Sequence, residues 1–513
     1  MSSRRQSVIA AVLISALAAS AVPARGALIR VGPQGDVVSA LKRARAGDVV
    51  ELMTGRYVIG HTVVSHGGRK DAPITVRAGA GQKPVIACGS ATNAAHNQTV
   101  YFYTNRPKEV GWWVLEGIEI TGGYTYCMKV DMSHMVFRRC KFHDSGRDCI
   151  KTVTGADDIL FDGCEIYNSG RRDPSNAEGI DMMGGDGLVV RNCHIHDTPT
   201  CGVYAKGAAK NVLYEGNLVE RTGHQALGLG QSSGLKYLRG NKYECYNGVA
   251  RNNVIAECRG GGIMLSSALN SKVCNNTLYE PATKSGGALY LVNCAPTRAA
   301  NKDFEIRNNV VYSSSQRWFV VFGKSATDPA GKNIIDNNLY FHPAGKGQVR
   351  VMCEDARFAA SFYGAFSQYQ KWGFGKASII ADPGFVDAAK KNFRLRPGSP
   401  AIDRGFTIDD LKADRDGKAR PVGRAIDLGA YEFGESAAAT KPAESKPAAT
   451  VITVKRPPNE PPPSDAKAAK LYRSARAAER AGMKALARTL YERLVKEFPD
   501  DPLAEKARAK LEK

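Results

Sequence analysis

Five short segments in the middle of the chain carry ionisable residues at matching positions. They read DCIKTV from Asp148, EGIDMM from Glu178, CGVYAK from Cys201, QALGLG from Gln225 and GGIMLS from Gly261. As strands, they would alternate their side chains between two faces. With the apolar third residue inward (Ile150, Ile180, Val203, Leu227, Ile263), the fourth and sixth point outward. The fourth column is then Lys151, Asp181, Tyr204, Gly228 and Met264, and the sixth is Val153, Met183, Lys206, Gly230 and Ser266. The first position enters each strand from a turn and holds Asp148, Glu178, Cys201 and Gln225. On neighbouring strands about 4.8 Å apart, Asp148, Glu178, Asp181, Lys151, Tyr204 and Lys206 gather on one outer patch. Crowded carboxylates repel, and a cation must offset that repulsion. Calcium takes several oxygen ligands at about 2.3–2.6 Å and suits Asp148, Glu178 and Asp181. Lys151, as a salt-bridge partner, is the simpler alternative.

Such a patch needs a framework that stacks similar strands, and the sequence repeats accordingly. One phrase recurs as VFRRCKFHDSG from Val136, ILFDGCEIYNSG from Ile159, LVVRNCHIHDTP from Leu188 and VLYEGNLVERTG from Val212. It continues as ARNNVIAECRG from Ala250, KVCNNTLYEPA from Lys272, FEIRNNVVYSSS from Phe304 and NIIDNNLYFHPA from Asn333. Its pivots are Cys140, Cys164, Cys193, Asn217, Asn253, Asn276, Asn309 and Asn338, with the shorter steps about 23 to 24 residues. Each unit alternates apolar and polar residues, then breaks at Gly, Ser, Asn or Asp, as a strand followed by a turn does. The period suits one coil of a right-handed parallel β-helix. A leucine-rich repeat of similar length would need regular Leu positions, which are absent. The pivot Asn row reads as structural: at a bend, Asn tolerates a left-handed backbone, and its amide can bond backbone groups or the Asn of the next coil. Cys140, Cys164 and Cys193 extend that row as small apolar residues.

The ends differ in composition. Arg4 and Arg5, an apolar run from Val8 to Val22 and small residues to Ala24 follow the order of a secretory signal peptide, assigned to residues 1–26. The expected location is secreted or periplasmic. The apolar run is shorter than the roughly 20 residues of a membrane span. Residues 27–434 form the expected β-helix, with VVSALKRAR from Val37 as a short helix capping its open end. Gly398 to Phe433 reads as the closing segment of the solenoid. Residues 435–465 are rich in Ala, Lys and Pro and read as a linker. Residues 466–513 have helical patterning punctuated by Gly482, Pro499 and Pro502. They resemble a single tetratricopeptide-type hairpin with a following helix. One such unit is too few for an array, so a partner protein or the β-helix itself would receive it.

The formal charge of +21 favours a polyanionic partner. Export turns this from nucleic acid towards acidic polysaccharides, whose carboxylates repeat along the chain. The twelve cysteines match no zinc spacing. The glycines of GDGLVV and RGGGIM open no helix, which excludes a phosphate loop. His143 and His196 share one repeat position with Tyr167 between them and read as turn residues. His224 stands alone in a turn, and Arg171 and Arg172 extend the loop before Glu178.

The stretch AEGIDM, Ala177 to Met182, resembles the DDGxD calcium motif of family 9 polysaccharide lyases. These are exported, pectate-lyase-like β-helix enzymes. Glu178 takes the place of the second Asp and Asp181 matches the last, while Ala177 replaces the first. Asp148 falls where the family has a further calcium-binding Asp. Tyr204 stands where the family has its catalytic Lys, and the nearest outward Lys is Lys206. The resemblance implies calcium-assisted β-elimination on a uronic-acid polysaccharide. A basic residue removes the C5 proton while a cation stabilises the charge developing at the adjacent carboxylate. Lys206 is then the candidate base, with its pKa lowered by a neighbouring cation. Tyr204 would serve as acid or stack on sugar, and Arg221 would hold a substrate carboxylate bidentately.

Two other readings compete. One is a non-catalytic β-helix that binds glycan or partner proteins at the cell surface. The other is a glycoside hydrolase, which needs carboxylates flanking a cleft; Asp181 and Asp186 are the one close pair.

Overall fold

The computed structural model describes residues 26–434, apart from 91, 316–317, 324 and 352–358, together with 471–472, 475, 484–499 and 502–511. The expected signal peptide up to residue 25 and the 435–465 linker lie outside the described residues. The chain divides into two compact units, Met1–Pro442 and Ala443–Lys513. In the second, the helices Lys484–Glu497 and Pro502–Leu511 bury Ala487, Tyr491, Leu494 and Ala507 together with Ala475.

The first unit is a right-handed parallel β-helix built on three 12-stranded sheets. One coil contributes a strand to each sheet in turn. Ile159–Asp162 lies in sheet A, Glu165–Tyr167 in sheet B and Ile180–Met183 in sheet C. The next coil repeats the order with Leu188–Arg191, His194–His196 and Val203–Lys206. Successive coils pair their strands in parallel, as Ile180–Met183 does with Val203–Lys206, and only the terminal strand Ala359–Ser361 of sheet C is antiparallel among the described residues of the three sheets. The inward column Ile150, Ile180, Val203, Leu227 and Ile263 is fully buried, so the alternation read from sequence is the alternation found. Phe137 and Phe161 stack face to face at 4.7 Å inside the same core.

The bends between sheets A and B differ from expectation in one respect. The left-handed residue is the one before each pivot: Asn192, Asn252, Asn275, Asn308 and Asn337 all have φ between 52° and 58°. Each pivot instead turns its side chain into the interior. There Asn217 Nδ2 donates to Asn253 Oδ1, Asn253 to Asn276, Asn276 to Asn309 and Asn309 to Asn338, each at 2.9 Å. Each Asn Oδ1 of the row, from Asn217 to Asn338, also accepts the backbone N–H of the preceding pivot, from Cys193 onwards. Ser378 Oγ ends the row by accepting from Asn338 N at 3.0 Å. A corner needs one residue to reverse the chain and another to satisfy the amides it strands, and two residues divide these tasks. Towards the N-terminus Cys140, Cys164 and Cys193 occupy the pivot column as buried thiols. All eleven described cysteines are free.

The helix Val37–Arg43 buries Val37, Ala40 and Leu41, with Asp36 accepting from Ser39 N at its N-cap. The other end is closed differently from expectation. The helix Phe362–Lys371 places Tyr369 in the core there, whereas Gly398 to Phe433 runs along the flank. Asn252, Asn275 and Asn308, on three successive coils, donate to the carbonyls of Ala413, Asp427 and Phe406. Leu428, Ala430 and Tyr431 pack over the outer face of sheet B at Val254, Ala256 and Val310. The left-handed Asn residues thus donate outward to this segment, which gives it a lateral seat.

Candidate functional site

Sheet C holds the candidate site. Its registers align Lys129 with Lys151, Lys151 with Asp181, and Asp181 with Tyr204, while Met183 stands opposite Lys206. Asp148 and Glu178 enter the same sheet from the turns one coil apart, and Glu178 N donates to Asp148 Oδ1 at 3.3 Å. Asp148, Glu178 and Asp181 each offer a carboxylate oxygen within 4.8 Å of the others. The predicted cluster is therefore assembled by coil stacking. It is far from solvated: Asp148 is 1% exposed, Glu178 7%, Asp181 2% and Tyr204 4%.

Two lysines meet this acidic group. Lys151 Nζ donates to Asp181 Oδ2, the salt bridge weighed above as the simpler role. Lys206 Nζ lies 3.8 Å from the same oxygen and donates to Tyr204 Oη at 3.0 Å. The other oxygen, Asp181 Oδ1, is buried and takes no hydrogen bond among the described groups. A buried carboxylate oxygen without a donor is costly.

Burial sets the electrostatics. It pushes the Asp148 carboxyl well above the usual range, reinforced by the Glu178 carboxylate beside it. It pushes Lys151 down to about 8, partly opposed by Asp148, and pushes Lys206 down against the pull of Glu178 and Asp148. It raises the Tyr204 phenol, helped by Glu178 and Asp148.

The donor set fits calcium. It is all oxygen, its three carboxylates offer oxygens within 4.8 Å of one another, and it includes the unpartnered Asp181 Oδ1. Two further residues belong to the site. With its amide turned to suit its neighbours, Asn176 donates to Glu178 Oε2 at 3.3 Å and Asp148 Oδ1 at 3.2 Å and accepts from Arg147. Neither has a counterpart in the other coils, so column alignment had no signal for them.

Arg221 is not brought to this cluster. It follows the sheet B strand Leu218–Glu220, with Nε 2.8 Å from Asp197 Oδ1 and a second ion pair to Glu220. A guanidinium matched to two carboxylates has no open fork for a substrate. Asp186 is likewise apart from Asp181: beyond the Gly184–Gly185 turn, it accepts from Asn211 Nδ2 at 2.6 Å. Asp186 is not among the carboxylates gathered with Asp181. Arg172 lays its guanidinium 4.1 Å over the Tyr124 ring, and Arg171 lies 3.9 Å from Asp144. His143, Tyr167 and His196 each end a strand of sheet B and stack outward, with centroids 4.6 and 4.9 Å apart.

Comparison with known proteins bears on the fold. A family model described as right handed beta helix region matches residues 116–293. The YwoF protein of Bacillus subtilis (strain 168) is 30% identical over 135 residues, which are 26% of this chain and 26% of that protein. The chain thus matches about a quarter of that relative's length. Among solved structures, the pectate lyase Pel9A is 16% identical with a TM-score of 0.51, covering 79% of this chain and 96% of that one. The surface adhesin PfbA of Streptococcus pneumoniae is 8% identical with a TM-score of 0.41, covering 61% and 86%. Among the described residues, no helix is long and apolar enough to cross a membrane. The family model and the likeness to the pectate lyase agree with the stacked parallel sheets, and the first unit is a right-handed parallel β-helix.

Proposed function

We propose that the protein is an exported lyase that cleaves an acidic polysaccharide by β-elimination at the sheet C cluster. The observation that carries this reading is the placement of Lys206. Its amine, weakened by burial, hydrogen-bonds the Tyr204 phenol and lies 3.8 Å from Asp181, the residue with an unpartnered oxygen. Support for a carbohydrate substrate comes from the likeness to the pectate lyase and from the +21 charge. Support for action outside the cytoplasm, secreted or periplasmic, comes from the basic, apolar and small-residue order of the N-terminus.

Asp148, Glu178 and Asp181 would hold calcium. When bound, it neutralises the uronate carboxylate and so acidifies the C5 proton. Lys206, in its neutral form, takes that proton, and the electron pair left at C5 forms the C4–C5 double bond. The C4–O bond breaks, and the leaving oxygen takes the proton of Tyr204, whose raised pKa keeps it protonated until then. The Lys206 ammonium then returns a proton to the Tyr204 phenolate along their 3.0 Å hydrogen bond, restoring the starting state. Lys151 holds Asp181 Oδ2 and supplies positive charge beside the cluster.

The test is a panel of uronic-acid polysaccharides, with and without calcium, read by the absorbance of the unsaturated product. Absorbance with the wild type, lost in Lys206→Ala, supports the reading. No absorbance on any polymer in either condition removes it and leaves a binding role for the solenoid.

A further inference from the structure

A second group of ligands lies on the outer face of sheet B, among residues that the elimination does not use. His194 and His196 are two apart on one strand and therefore share a face, with ring centroids 4.1 Å apart. Glu165 stands opposite His194 on the preceding coil. One ligand atom from each of Glu165, His194 and His196 lies within 4.8 Å of the others.

The state of His196 says what this group lacks. Asp197 Oδ2 lies 2.7 Å and Arg221 Nη2 3.3 Å from its Nδ1, so that edge of the ring is already occupied. Its other nitrogen, Nε2, faces Glu165 Oε1 at 3.5 Å. That nitrogen is buried and has no hydrogen-bond partner. A cation between that nitrogen and the carboxylate would give both a partner. Two donors bonded to one tetrahedral zinc at about 2.0–2.2 Å sit about 3.4 Å apart, close to the spacing found. The neighbouring coils supply a contrast. His143 likewise has a carboxylate on Nδ1 and a buried Nε2 that faces Glu119 at 3.1 Å without a hydrogen bond, but it has no second imidazole beside it.

The surroundings hold the ligands in place. His196 stacks on Tyr167 at 4.9 Å and 4°, so its ring cannot turn freely. His194 has its own carboxylate, Glu220 Oε1, 3.1 Å from Nε2, which leaves Nδ1 for a metal. A carboxylate behind each metal-binding imidazole is the usual outer support of such sites. Lys141 occupies Glu165 Oε2 and leaves Oε1 towards His196.

We propose that Glu165, His194 and His196 form a zinc site, separate from the sheet C cluster, with a fourth position open to water. Two imidazoles and one carboxylate match the three-ligand zinc pattern. The nitrogen donors favour zinc over calcium, which binds through oxygen.

The test is titration of the full chain, stripped with a chelator and freed of any histidine tag, with zinc against a chromophoric competitor. One equivalent should bind and calcium in excess should not displace it. His194→Gln should weaken binding by at least about tenfold, and Asp197→Asn by about tenfold through loss of ring orientation. The His194 side chain is 37% exposed, so His194→Gln should melt with the wild type when zinc is absent and fail to gain the zinc-dependent rise. Absence of saturable binding, or equal binding in His194→Gln, would overturn the proposal and leave His196 a structural partner of Asp197 and Glu165.

Discussion

Lys206 and Tyr204 lie two residues apart on one strand of sheet C, and the lysine both donates to the tyrosine hydroxyl at 3.0 Å and lies 4.4 Å over its ring. The strand period puts them on one face, and burial of both separates their pKa values, the amine down from 10.5 and the phenol up from 10.0, so that a proton on the ammonium passes downhill to the phenolate. A base and an acid joined by one hydrogen bond can exchange a proton after each turnover.

Removing either partner should therefore cost rate more than binding. Lys206→Ala is expected to lower kcat by about 10²–10⁴-fold, the range of a lost general base. Tyr204→Phe keeps the ring and loses the proton donor, so kcat should fall while KM changes little. Initial rates of double-bond formation check both, and an unchanged kcat in Lys206→Ala would remove the assigned base.

The lowered lysine pKa values set a direction with pH. Lys206 acts as the neutral amine, so the rate should rise with pH through its lowered pKa and level off below 10.5. Stability should follow the same sign. Lys151, at about 8 in the fold against an ordinary 10.5, binds fewer protons folded than unfolded within that window. Stability from this group therefore rises between pH about 8 and 10.5 and is at its lowest below 8. Urea unfolding of the wild type at the two ends of the window checks the sign.

Calcium, if held by Asp148, Glu178 and Asp181, should raise the melting temperature, by about 2.7 kcal/mol of stability at a hundred times its Kd. Asp181→Asn removes the charge nearest the unpartnered oxygen and should abolish that gain. Calorimetric titration of wild type beside Asp181→Asn reads it directly; equal binding in the two would place calcium elsewhere.

The Asn row should be costly to interrupt. Asn276 Oδ1 accepts Asn253 N at 3.0 Å and Asn253 Nδ2 at 2.9 Å, and its own amide donates to Ala250 O. Asn276→Ala leaves these buried groups unpaired, for a loss of at least about 2 kcal/mol. Denaturant unfolding measures it, and a loss below about 0.5 kcal/mol would mean that water replaces the amide.

The solenoid was legible because every coil restates it. The pivot column, the inward column from Ile150 to Ile263 and the period of the shorter coils are local patterns, and strand alternation fixes which side chains face out. The meeting of Asp148, Glu178 and Asp181 followed from that alignment, since residues at equal positions in successive coils must be neighbours. Arg221 shows what a repeat column does not carry. Its column was readable, but its ion pairs to Asp197 and Glu220 are side-chain choices in space.

The sequence by itself determined the repeat, the strand faces and the identity of the clustered residues, because periodic patterning acts over a few residues and stacking then has one register. Only the tertiary structure decided how deeply the cluster is buried, that Lys151 claims one oxygen of Asp181 while the other is left bare, and that Asn176 closes over Asp148. It also decided that Gly398 to Phe433 lies along the flank, where outward Asn amides of three coils await acceptors. Burial and pairing depend on what distant segments bring to the same place, and no local pattern carries that information.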